Sequence, residues 1–88
     1  MKKTKKDIMI ILVNHRKKEA PTVQKILTGW GCLIKTRLGI HDGVLDKCTD
    51  VGLIILELVG DTRKHKELSR KLSLLAGVST KLIRISVD

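Results

Sequence analysis

Two stretches of this chain, Ile8–Val13 and Val51–Val59, are apolar at consecutive positions rather than at every second one, with Glu57 the one interruption. A strand sends successive side chains to opposite faces of its sheet, so a run of this kind fits a strand covered on both sides, in the middle of a sheet. Both runs are far shorter than the roughly 20 apolar residues that cross a bilayer as a helix. Asp7–Asn14 is accordingly expected to be the first strand and Val51–Val59 another, with Gly52 marking a bulge or a close backbone approach.

The remaining elements follow from periodicity. Val23, Ile26, Leu27 and Trp30 recur at the i, i+3, i+4, i+7 spacing of one helical face, with Pro21 suited to the first turn and Gly29 or Gly31 to the end. Cys32–His41 alternates, placing Cys32, Ile34, Thr36, Leu38 and Ile40 on one face of a half-buried edge strand. Asp42–Asp50 reads as a loop or long hairpin turn. Gly60-Asp61 offers an N-cap to a second helix carrying Leu68, Leu72, Leu75 and Ala76 on one face, which stops at Gly77. Thr80–Val87 alternates again, with Ile83, Ile85 and Val87 opposite Leu82 and Arg84.

The order βαββαβ predicts an α+β, ferredoxin-like fold: a four-stranded antiparallel sheet with both helices on one face and the two apolar strands in the middle. Residues 7–88 are expected to form one domain, preceded by a mobile Lys-rich tail, residues 1–6, that has no apolar anchor. The helices cover only one face of the sheet. Leaving several hundred square ångströms of Ile, Leu and Val wet on the other would cost several kcal/mol, so a second copy is the expected cover, as a homodimer or a dimer of dimers packed face to face or edge to edge.

Eighteen Lys and Arg against nine Asp and Glu, a net charge of +9, raise nucleic acid as a partner. The cations are scattered over the tail, over Arg16-Lys17-Lys18, and along the second helix at Arg63, Lys64, Lys66, Arg70 and Lys71, as on an ordinary solvated surface. The central strands hold no aromatic residue on which a base would stack, and Trp30 lies on an apolar helical face. Two cysteines form no secreted disulfide framework and no signal-peptide cleavage site follows Val13, so a cytoplasmic protein without a membrane segment is expected.

No catalytic activity is expected, because nucleophile-elbow, metalloprotease and phosphate-loop motifs are missing. Two candidate sites remain. Asn14, His15 and Arg16 lie between the first strand and the first helix, where the backbone N–H groups of a helix start favour a carboxylate or phosphate. His41 and Cys48 flank one hairpin, and imidazole with thiolate suits zinc, nickel or copper, with His15 or Asp42 completing the set. The bland alternatives are a solvated basic loop, a polar strand end and a packed thiol. The cofactor is otherwise unknown, and the fold needs none.

Val23-Gln-Lys-Ile-Leu-Thr, Gly31-Cys-Leu-Ile-Lys-Thr-Arg-Leu-Gly-Ile-His-Asp and Val51-Gly-Leu-Ile-Ile-Leu-Glu-Leu-Val-Gly-Asp together resemble the family of iron-only hydrogenase system regulators. The resemblance covers nearly the whole chain after the Lys-rich tail. It implies kinship with ACT-like ligand-binding domains and with the C-terminal sensing domain of the nickel-responsive repressor. The latter implies a His-x-His pair and a following Cys, whereas this chain reads Gly39-Ile-His41 and then Cys48, one ligand short. The sequence is therefore expected to encode a non-catalytic, oligomeric sensing or regulatory domain that binds a small ligand or a metal. As a transcriptional regulator it would act with a separate DNA-binding protein or on nucleic acid directly. The alternative is a basic nucleic-acid-associated protein.

Overall fold

The computed structural model describes residues 4–14, 16–41 and 51–88. Along the chain come β1 (Thr4–Val13), α1 (Arg16–Gly29), a 3-10 turn (Gly31–Leu33), β2 (Ile34–His41), β3 (Gly52–Leu58), α2 (Thr62–Ser73) and β4 (Val78–Val87). The strands pair antiparallel in the order β2-β3-β1-β4, a ferredoxin-like βαββαβ fold with the two apolar strands in the middle. Among the described residues no helix is long and apolar enough to cross a membrane.

Alternation divides the sheet cleanly. Met9, Ile11 and Val13 of β1 and Ile54, Leu56 and Leu58 of β3 point to one face, where Val23 and Leu27 of α1 and Leu68 and Leu72 of α2 bury them in a single cluster. Each fully buried Leu, Ile or Val there contributes about 1.5–3 kcal/mol relative to exposure. Trp30 packs against this cluster, as its place on the apolar helical face implies. Asp61 caps α2 by accepting the Arg63 N–H at 2.9 Å, and Arg70 and Lys71 in the last turn suit the negative end of the helix dipole. Ser69 and Thr80 share a hydroxyl hydrogen bond of 2.7 Å that ties α2 to β4.

The elements differ from the sequence reading in several places, and β4 starts at Val78, two residues before the expected Thr80. β1 begins at Thr4 instead of Asp7, because β4 runs on to Val87 and gives Thr4, Lys5 and Lys6 ladder partners; residues 1–3 of the expected tail lie outside the described residues. α1 begins at Arg16, which leaves Pro21 inside the helix, where it forgoes one hydrogen bond to the preceding turn. Cys32 belongs to the 3-10 turn rather than to β2. Finally, a bulge between Ile34 and Thr36 breaks the alternation of β2. Ile34 pairs with Leu58 on the helix side, whereas Thr36, Leu38 and Ile40 pair with Glu57, Ile55 and Leu53 on the opposite side, and Arg37 and Gly39 take the helix side.

Candidate functional site

Asn14 follows β1 directly, its N–H donating to the Gly77 carbonyl at 2.7 Å, and Arg16 opens α1. Val13 and His41 are both register partners of Gly52, so Asn14, Arg16 and His41 come to the same end of the sheet. His15, Asp42 and Cys48 lie outside the described residues. Among the described residues no group of three His, Cys, Asp or Glu side chains stands close enough to share an ion.

At that end lies a pocket of about 190 Å³ between α1 and the β2–β3 ladder, lined by Val13, Ala20, Val23, Gln24, Gly39, Ile40, Gly52, Leu53 and Ile54. It exists because β2, beyond its bulge, offers Gly39 to the helix side, and a Cβ built there would meet nothing within 4 Å. Among the described residues, Gln24 is the one lining residue with a polar side chain. Of its lining residues, Val13 ends β1 just before Asn14, and Ala20 lies on α1 one turn after Arg16.

The opposite end of the sheet holds a buried charge cluster that sequence reasoning did not find. Asp7, 5% exposed, receives Arg84 Nε at 2.8 Å on Oδ1 and Arg84 Nη2 at 3.2 Å on Oδ2. His65, 2% exposed, is hydrogen-bonded through Nδ1 to Asp7 Oδ2 at 2.7 Å and through Nε2 to the Val59 carbonyl at 2.7 Å. The Arg84 hydrogen bond, followed by that of His65, holds the Asp7 carboxyl down at about 2 against the opposing cost of burial. Val59 in turn donates its N–H to Leu33 at 2.8 Å, and Gly60 sits at φ +87° with Leu33 Cδ2 2.9 Å from where a Cβ would be. Only glycine combines that dihedral with that approach. Alternation within strands hints at this cluster, since Asp7 and Arg84 fall on core-facing positions, but joining them to His65 requires the β1–β4 register.

The face turned away from the helices is largely aliphatic. Leu12, Leu38, Ile40, Ile85 and Val87 are exposed there at 43–64%, with Ile8, Ile10, Leu53, Ile55 and Ile83 half-buried between them. Its polar island is Glu57, which accepts from Lys6 Nζ and from Thr36 Oγ1 at 3.1 Å, with Lys35 Nζ at 3.9 Å. The Lys6 hydrogen bond, then that of Thr36, keeps the Glu57 carboxyl below the usual range. The basic stripe on α2 is partly neutralised, since Arg63 pairs with Asp61 and Lys64 with Glu67.

No family model matches this chain, and no curated protein does. Among solved structures it is similar to an uncharacterized protein from Thermotoga maritima, with a TM-score of 0.77 and 27% identity over 96% of this chain and 99% of that one. CPII, a nitrogen regulatory PII-like protein from Thiomonas intermedia K12 seen bound to ADP, AMP and bicarbonate, superposes with a TM-score of 0.64 and 12% identity over 100% of both chains. The ACT domain of GTP pyrophosphokinase from Chlorobium tepidum gives 0.59 and 19% over 97% of this chain and 89% of its own. The fold is thus one that ACT domains and PII-like proteins share.

Proposed function

We propose that this chain is a non-catalytic, ligand-sensing regulatory domain that acts as a homo-oligomer, of the type that regulates an iron-only hydrogenase system. The observation that carries the reading is the glycine-floored pocket under α1, whose aliphatic lining suits the apolar part of a small metabolite. Asn14, His15 and Arg16, between β1 and α1, would hold the ligand's carboxylate or phosphate. A ligand there would bridge α1 and the edge strand β2, and so tell the rest of the assembly whether the pocket is filled. The shared fold with regulatory ACT and PII-like proteins supports this reading. Transcriptional control would pass through a separate DNA-binding chain, inside the cytoplasm.

Gly39→Leu tests the pocket. The new side chain fills space that is empty now, so the variant is expected to fold with equal or slightly higher stability, by up to about 1 kcal/mol, and to lose the thermal stabilisation that small aliphatic carboxylates give the parent protein. Equal stabilisation of both proteins by the same compounds would put the ligand elsewhere.

A transition metal at His41 and Cys48 belongs to the same reading as a second input. Both ligands bind only when deprotonated, so affinity for zinc or nickel is expected to rise with pH. Calorimetric titration under reducing conditions decides: heat that saturates in the parent and vanishes in both His41→Ala and Cys48→Ser supports ligation, and no saturable heat in the parent removes it.

A further inference from the structure

The charge cluster at the far end of the sheet forms the floor of a cleft of about 490 Å³, walled by Lys5, Val59, Gly60 and Thr62. The hydrogen bonds fix its floor, since His65 is held through both ring nitrogens, to the Asp7 carboxylate and to the Val59 carbonyl. Arg84 balances the single negative charge of Asp7, and Lys5 on the same strand adds a second cation at the rim. Lys6 also borders the cleft, but its charge is spent on Glu57 across the sheet. Charges held in and around a buried floor are costly unless they are balanced, and here the charge of Lys5 is left over in a cleft open to solvent.

We propose that this cleft binds a small phosphate-class anion, either inorganic phosphate or a phosphate monoester, between Lys5, Arg84 and the Gly60–Thr62 turn. The Arg84 side chain, 44% exposed, is held flat against Asp7 by its two hydrogen bonds and so presents its outer edge to the cleft in a fixed pose. Such a planar, pre-oriented guanidinium suits phosphate oxygens. The site lies at the opposite end of the sheet from the glycine-floored pocket and does not depend on the sensing reading.

The test is titration of the full chain with inorganic phosphate and, separately, with methyl phosphate. Binding would be followed by phosphorus NMR and by the backbone amide signals of Gly60, Asp61 and Thr62. Saturable binding is expected with at least one of them, and which one binds separates the free ion from the ester. Lys5→Gln, an exposed change that leaves the fold intact, should weaken it about fivefold. Lys71→Gln, the same charge change on the far turn of α2, and Gly39→Leu in the other pocket should leave it unchanged. Absence of saturable binding with both anions, equal losses in the two lysine variants, or shifts clustered away from the Gly60–Thr62 turn would overturn the inference.

Discussion

Replacing Asp7 by alanine is expected to destabilise the fold by about 2–4 kcal/mol in chemical denaturation, far more than any surface carboxylate, because it strips His65 and Arg84 of their common partner at once. The same group sets the acid limit of the protein. Its folded-state carboxyl lies at about 2 against an ordinary value of 3.8. A depressed pKa contributes stability that is complete above the unfolded value and disappears as pH falls through the folded one. The contribution, about 1–2 kcal/mol after allowing for solvent in the cleft, should thus be present at pH 5 and fade between about pH 4 and pH 2. The alanine variant should show a shallower loss across that window. An identical acid profile for parent and variant would mean that other carboxylates, Glu57 and Asp61 foremost, govern acid unfolding.

Light scattering of the parent protein at tens of micromolar is expected to report at least a dimer, and Leu38→Lys to return it to a monomer. Four strands about 4.8 Å apart and about seven residues long give a footprint of roughly 19 by 23 Å, so two opposed faces remove on the order of 1,000 Å² from water. That is near the lower bound of a specific interface. The polar island suits the purpose, because Glu57 already has its donors within the chain and asks nothing of a partner. Leu38, 51% exposed on an edge strand, contributes little to the isolated subunit, so the variant should keep its thermal midpoint apart from the part due to assembly. Ile55→Asp, at the centre of the face between Ile10 and Leu38, is expected to weaken association more than 100-fold. A parent protein that stays monomeric across the concentration range would leave the aliphatic face without this role.

The central strands were legible because consecutive apolar residues can be buried only in one place in this architecture, and β1 and β3 indeed lie inside the sheet. Pro21 misled: it is a good first-turn residue, and Arg16–Ala20, although good helix formers, carry no apolar periodicity to show that the helix has begun five residues earlier. The bulge at Lys35 was hidden for a different reason. Cys32, Ile34, Thr36, Leu38 and Ile40 keep perfect alternation on paper, and only the pairing with β3 shows that the register slips between Ile34 and Thr36. The Asp7–His65–Arg84 cluster spans 77 positions, a distance over which local pattern carries no information. The loop residues Asn14 and Arg16 and the strand end His41 were singled out for their chemistry, and topology gathers them at one end of the sheet. His15 and Cys48 lie outside the described residues.

The extra residue in β2 links two properties that look unrelated. With Lys35 in place, Gly39 faces the helices and leaves room under α1, while Leu38 and Ile40 load the outer surface. Take that residue away and the strand turns over: the two large side chains move inward and plug the space, and the outer surface loses its grease. A single-codon insertion or deletion in a descendant gene would therefore gain or lose a cavity and a sticky face in one step.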